Sequence, residues 1–180
     1  MKFSAKLVCV KIKSLISEPK IKKTIKALAR EIKADYSRKN PLLIGCLTGS
    51  FMFMADLIRK VGIPLQCDFM KLSSYGNKKT SGKIKLLLDN TLDVKGRDVI
   101  IIEDIVDTGN SLKFIKKRLL AKKPKSLKTC VLIYKESKRV KIPKKDIDYL
   151  GVTIPDVFII GYGIDYAQGY RELRYVGVVE

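Results

Sequence analysis

The sequence predicts an α/β protein built on a central, twisted parallel sheet with helices on its faces. Three observations predict it. Short apolar, β-branched runs recur along the chain and alternate with stretches of helical period. The clearest run, Val99 to Ile102, passes straight into two adjacent acids, Glu103 and Asp104, then a small polar loop and a new helical pattern. The 180 residues are 46% apolar and 31% charged, enough for one domain with a substantial core. We therefore read residues 1–180 as a single domain.

The elements follow in order. Residues 20–35 place Ile21, Ile25, Leu28 and Ile32 on one helical face, with Pro19 at the start. Residues 41–47 form an apolar run that reads as a buried strand. Gly49-Ser50 then opens a helix over residues 51–61, stopped by Gly62 and Pro64. Residues 65–72 read as a strand. Residues 73–83 (SSYGNKKTSGK) are polar, basic and glycine-bearing, which predicts a mobile loop. Strands are expected over residues 84–88 and 98–102. A helix over residues 112–121 follows, with Leu112, Ile115 and Leu119 on one face and Pro124 beyond it. Residues 127–134 read as a strand and the very basic 135–148 as irregular. Short strands close the pattern at residues 157–160 and 175–179.

Composition excludes several classes. The apolar runs are far shorter than the ~18 residues a membrane span needs. Lys6, Lys11 and Lys13 interrupt any N-terminal apolar stretch, so no signal peptide is read and the cytoplasm is the expected compartment. Cys9, Cys46, Cys67 and Cys130 stand singly in apolar surroundings, as buried reduced thiols do. Histidine is absent, which rules out Ser-His-Asp and Cys-His catalysis and histidine zinc sites. Acid–base work falls to carboxylates, Lys or Tyr. Lys plus Arg number 37 against 18 acids, a net charge of +19. Such a field favours an anionic partner, either a polyphosphate metabolite or a nucleic acid. The cations are mostly Lys and are spread along the whole chain, as a Lys/Ile-rich coding bias would leave them. Nucleic acid is therefore not the expected partner.

The chemistry concentrates at VIIIEDIVDTGNS, Val99 to Ser111. Ligands bind at the carboxyl ends of parallel strands, and helix N-termini accept anions. Glu103 and Asp104 suit the hydroxyls of a substrate or a hard metal cation. The backbone N–H groups of Thr108, Gly109, Asn110 and Ser111 suit a phosphate. A plain polar turn capped by Asp107 or Ser111 would not explain two acids at the end of a buried strand. An aspartic-protease loop around Asp107-Thr108-Gly109 would leave the Glu103-Asp104 pair without a use.

The segment resembles the phosphoribosyl-diphosphate motif of type I phosphoribosyltransferases, and the resemblance extends over most of the chain to hypoxanthine-guanine phosphoribosyltransferases. It implies that family's fold, with a small hood formed by the terminal segments. Leu43 to Ile58 is similar to the family's pyrophosphate loop, where Thr48-Gly49 stands in place of the usual Lys-Gly. In some members the peptide joining that pair is cis. Ser74 and Tyr75 match a Ser-Tyr pair in the family's closing lid, which would keep water from the ribose centre. Val131 to Lys135 matches the strand ending in the purine-contacting lysine, so Lys135 would donate to a 6-oxo group; Arg139 falls at a further basic contact. Asp156 to Arg171 is the second long match: Phe158 would stack on the base, the Ile159 backbone would meet its edge, Asp165 would sit near the base and Mg²⁺, and Arg171 would hold pyrophosphate.

The resemblance implies transfer of a 5-phosphoribosyl group from phosphoribosyl diphosphate to hypoxanthine or guanine. Asp107 is the expected general base, Glu103, Asp104 and Asp165 the expected Mg²⁺ residues, and a homodimer or homotetramer the expected assembly. A xanthine-preferring enzyme of the same family, and a regulator of the same fold binding RNA or DNA, are the alternatives.

Overall fold

The alternation of apolar runs and helical stretches becomes two sheets and three helices in the computed structural model, which describes residues 11–75 and 83–180. Strand β1 (Ile12–Ile16) leads into helix α1 (Glu18–Tyr36). Then come β2 (Leu42–Leu47), α2 (Phe51–Val61), β3 (Gln66–Tyr75), β4 (Lys83–Leu88), β5 (Asp98–Val106), α3 (Asn110–Ala121) and β6 (Ser126–Glu136). A 3-10 turn at Lys144–Asp146, β7 (Tyr149–Pro155), β8 (Ile159–Ile160) and β9 (Val176–Val179) complete the order.

Helix α1 begins where Pro19 can sit without losing a hydrogen bond, and Glu18 offsets the positive end of its dipole. Its apolar face buries Ile21, Ile25, Leu28, Ala29, Ile32 and Tyr36. The four residues Val99 to Ile102 of β5 are all fully buried. They alternate between two cores, as a strand covered on both faces must. Ile100 and Ile102 pack with α1 and α2, while Val99 and Ile101 pack with α3.

The main sheet has the order β4-β3-β2-β5-β6-β7. The five strands from β3 to β7 run parallel. β4 is antiparallel to β3, so the sheet is mixed at one edge, where a wholly parallel sheet was expected. The pairing of Ser74 with Ile84 and Tyr75 with Lys83 also shortens the expected loop, because the ladder carries strand structure into residues read as loop. Residues 76–82 lie outside the described residues, as does Cys9. The strand order reverses between β2 and β5, the switch point at which open α/β sheets bind ligands.

The second sheet is antiparallel, β1-β9-β8, and brings the two ends of the chain together as the expected hood. Strands β1 and β7 were not anticipated. Each carries few fully buried residues, so neither shows a clean alternation. β5 continues to Val106, which places Glu103 and Asp104 within the strand rather than beyond it. Cys46 and Cys130 are buried free thiols, whereas Cys67 is exposed. Cys67 lies in the half of β3 that precedes its pairing with β4, on the open edge of the sheet. Among the described residues, no helix is long and apolar enough to cross a membrane.

Candidate active site

Three strand ends, β2, β5 and β6, open side by side at the switch point. The loop after β5 is held by backbone geometry. Gly109 caps α3 with φ at 77°, a left-handed conformation that favours glycine, and in the first turn the Asn110 N–H donates to the Thr108 hydroxyl at 3.4 Å. The turn lines a cavity of about 420 Å³ together with Glu103, Ile105 and Asp107. Such a turn is an anion cradle. The segment read as irregular braces it: the Lys141 N–H donates to the Thr108 carbonyl at 2.9 Å, and Ile142 lies against Gly109.

Glu103 and Asp104, being consecutive on a strand, leave it on opposite faces. Glu103 lines that cavity, and its Oε2 is buried with no hydrogen-bond partner. Burial, reinforced by the neighbouring Asp104 charge, pushes its carboxyl well above the usual range. Asp104 faces Gly49, where any Cβ would fall 1.9 Å from its Oδ2. Burial raises the Asp104 carboxyl to about 6, with Arg171 lowering it and Asp165 raising it. Among the described residues no three acidic or thiol side chains converge on one point. Glu103, Asp104 and Asp165 are thus not a closed cage. A hard cation here would draw further ligands from substrate oxygens, as Mg²⁺ commonly does.

The loop after β2 is bent by a cis peptide, which lies between Leu47 and Thr48 and not between Thr48 and Gly49 as anticipated. Ser50 is fully buried and its hydroxyl donates to the Cys46 carbonyl at 2.7 Å, fixing the start of α2. Gly49 meets the hood closely: a Cβ on Gly163 would lie 2.2 Å from the Gly49 carbonyl oxygen. Arg171 completes this corner. Its Nη1 donates to the Gly163 carbonyl at 2.7 Å and its Nη2 pairs with Asp165 at 2.9 Å. The turn that presents Asp165 and Arg171 is tight, with Ala167 and Gln168 both at positive φ. Gln168 donates its N–H to Asp165 and accepts from Arg171.

Lys135, at the end of β6, is 6% exposed. Burial of a lysine requires a partner. Its Nζ lies 3.6 Å from Asp107 Oδ1, so the solvated surface lysine that so basic a chain suggests is excluded. Arg139 Nη2 stands 3.7 Å from the same oxygen. Phe158 is an exposed aromatic (53%), edge-to-face with Tyr166 at 5.7 Å. Ile159 is buried and paired with Val178 in the hood, so only its backbone is available to a ligand. Ser74 and Tyr75 sit at the end of β3, away from the loop position expected of them.

Sequence reasoning overlooked Ser137 and Asp156. Ser137 Oγ donates to Asp156 Oδ2 at 2.8 Å, and Arg139 Nη2 donates to Asp156 Oδ1 at 2.6 Å. The link joins the turns after β6 and β7 across nineteen positions, and a polar residue in a turn carries no sign of such a partner.

An anion-accepting turn, two buried acids and a paired lysine and aspartate at one switch point suit a phosphorylated substrate, and the comparisons agree with that class. The phosphoribosyl transferase domain model matches residues 11–167. Hypoxanthine phosphoribosyltransferase of Salmonella typhimurium is 46% identical over 172 residues, covering 93% of this chain and 95% of the relative. The crystal structure of a hypoxanthine-guanine phosphoribosyltransferase from Bacillus anthracis, with HEPES in its active site, superposes with a TM-score of 0.87 at 42% identity, covering 95% of this chain and 99% of that one. Hypoxanthine phosphoribosyltransferase from Trypanosoma cruzi, in complex with its product IMP, gives 0.84 at 38% identity, with 95% of each chain covered. The chain belongs to the hypoxanthine-guanine phosphoribosyltransferase family.

Proposed function

We propose that the protein is a purine-salvage transferase that moves a 5-phosphoribosyl group from phosphoribosyl diphosphate to hypoxanthine or guanine, giving IMP or GMP and pyrophosphate. The observation that carries the base specificity is the pairing of Asp107 and Lys135, an acceptor and a donor 3.6 Å apart. A 6-oxopurine protonated at N7 presents a donor and an acceptor on neighbouring atoms of one edge, the complement of that pair. Adenine presents an amino donor where Lys135 also donates.

N9 of the base attacks C1 of the ribose, and the bond from C1 to the pyrophosphate oxygen breaks. Asp107 takes the N7 proton in this step. Residues 108–111 hold the 5′-phosphate, Glu103 and Asp104 meet the ribose hydroxyls, and Arg171 with the Thr48-Gly49 backbone holds the pyrophosphate. Phe158 stacks on the base, and the backbone at Ile159 borders it. Glu103 and Asp104 also fit Mg²⁺: both are hard oxygen donors, and the orphaned Oε2 of Glu103 lacks a partner that substrate or cation would supply. Held by these residues, Mg²⁺ would supply positive charge beside the pyrophosphate oxygens. Ser74 and Tyr75 open the segment that would close over the site. A homodimer or homotetramer is the assembly the family suggests, and the free thiols among the described residues accord with a cytoplasmic setting.

The test incubates the protein with phosphoribosyl diphosphate, Mg²⁺ and hypoxanthine, guanine, xanthine or adenine in turn. Ready turnover of the first two and only trace turnover of adenine is expected. Absence of product with every base overturns the assignment, and preference for xanthine redirects it within the family. Asp107→Asn should lower kcat by at least about 100-fold, the range of general-base loss, while IMP still binds.

A further inference from the structure

Asp107 has an unusual setting for a carboxylate between two cations. Its Oδ1 is buried and accepts no hydrogen bond, although Lys135 Nζ and Arg139 Nη2 stand 3.6 and 3.7 Å away. Both distances are within ion-pair reach and beyond hydrogen-bond length. Arg139 is a long side chain, 61% exposed, on the turn after β6. Its length and exposure leave it able to change partner across the short remaining gap to Asp107. What holds it is on the next strand end. Asp156, just past β7, takes the same Nη2 at 2.6 Å. Ser137 locks that carboxylate from the other side at 2.8 Å and also accepts from the Arg139 backbone N–H and Nε.

We propose that Asp156, braced by Ser137, is a positioning residue that holds Arg139 off Asp107, leaving the Asp107 oxygen free to take the purine proton. This rests on the reaction proposed above. The charged groups around Asp107 are Lys135 and Arg139 from β6 and its turn, Asp156 beyond Arg139, and Glu103 in the shared cavity. Of these, only Arg139 is long and exposed enough to change partner. Without Asp156 it pairs directly with Asp107, and a carboxylate in a direct guanidinium pair is a weaker base. The arrangement leaves Arg139 close enough to stabilise the site and too far to quench the base. Asp156 touches no reacting atom in this account.

The test is a double-mutant cycle on IMP formation. Asp156→Ala should lower kcat about tenfold and move the low-pH limb of kcat down by about one unit, the effect of one direct arginine partner on a carboxylate. KM for phosphoribosyl diphosphate should stay near the parent value. In an Arg139→Ala background the same substitution should cost nothing further, since the side chain it restrains is gone. Asp156→Glu should restore both kcat and the limb. Should Asp156→Ala fail to fold, Asp156→Asn carries the same readouts without the charge. An equal loss in both backgrounds, or a limb that does not move, overturns the positioning role. A parent protein that forms no nucleotide overturns the reaction itself, which separates the two failures.

Discussion

Lys135 departs furthest from what its residue type predicts. Among 37 basic residues it is one of many in the sequence, yet it is 6% exposed and faces a carboxylate. Its burial is set by β6, whose residues from Thr129 to Lys135 are all buried. Only similarity to a family could single it out beforehand; composition argued the other way. Lys135→Ala should cut kcat/KM for hypoxanthine by about 100-fold, roughly the loss of one charged hydrogen bond with its partner left buried. Adenine turnover should fall less, so the ratio of the two kcat/KM values is the measurement. An unchanged ratio would remove Lys135 from base recognition. Asp107, Thr108 and Ser111 were legible at this scale because their signal is local: an apolar run, spaced acids, a small loop. Ser137 and Asp156 were not, because their meaning lies in a contact between two turns.

At the scale of elements, the segment from Gly161 to Arg171 bears the most demanding backbone. Gly161, Tyr162, Gly163, Ala167, Gln168 and Tyr170 all have positive φ. Such conformations persist where surrounding contacts enforce them. Here the enforcement is visible: Tyr162 donates to Asp56 on α2 at 2.5 Å, and Gly163 lies against the Gly49 carbonyl. Gly163→Ala must add both a strained φ and a collision. It should cost about 1–3 kcal/mol of stability and raise KM for phosphoribosyl diphosphate, because Arg171 donates to the Gly163 carbonyl. Gly96→Ala is the control: φ is 69° there but a Cβ meets nothing within 4 Å, so stability should drop with KM unchanged. Melting temperature and KM together distinguish them. Helices α1, α2 and α3 were legible from their period, and β2, β5 and β6 from unbroken apolar runs. Strands β1 and β7 were not, since half-exposed edge strands interleave Lys, Ser, Gly and Thr with few core residues. The antiparallel direction of β4 has no signature in its own residues.

For the whole molecule, the absence of histidine has a consequence for pH. Asp89, with Arg118 as its chief partner, is depressed to about 2, so it stays ionised above pH 5. Burial lifts the Cys46 and Cys130 thiols out of the neutral range altogether. Among the described residues, the window from pH 5 to 8 is left to Glu103 and Asp104. Both are raised in the folded state, so their contribution to stability is complete below about pH 4 and is lost as pH rises, for Asp104 through about 6. The ligand-free protein should therefore be less stable and melt lower at pH 8 than at pH 5, with a share from Asp104 on the order of 1 kcal/mol. The stabilisation by phosphoribosyl diphosphate with Mg²⁺ should grow over the same range, because it draws on the ionised acids. Thermal melts with and without ligand at four pH values check both slopes. Parallel slopes would show that ligand binding does not use this pair.

The hood ties base recognition to a distant part of the chain. Its middle strand is β9, and β8, which carries the backbone beside Phe158, pairs with nothing else in that sheet. The turn proposed to hold the 5′-phosphate is built by β5 and α3, in the other sheet. A substitution that loosens β9 should therefore disturb the choice of purine more than the hold on phosphate.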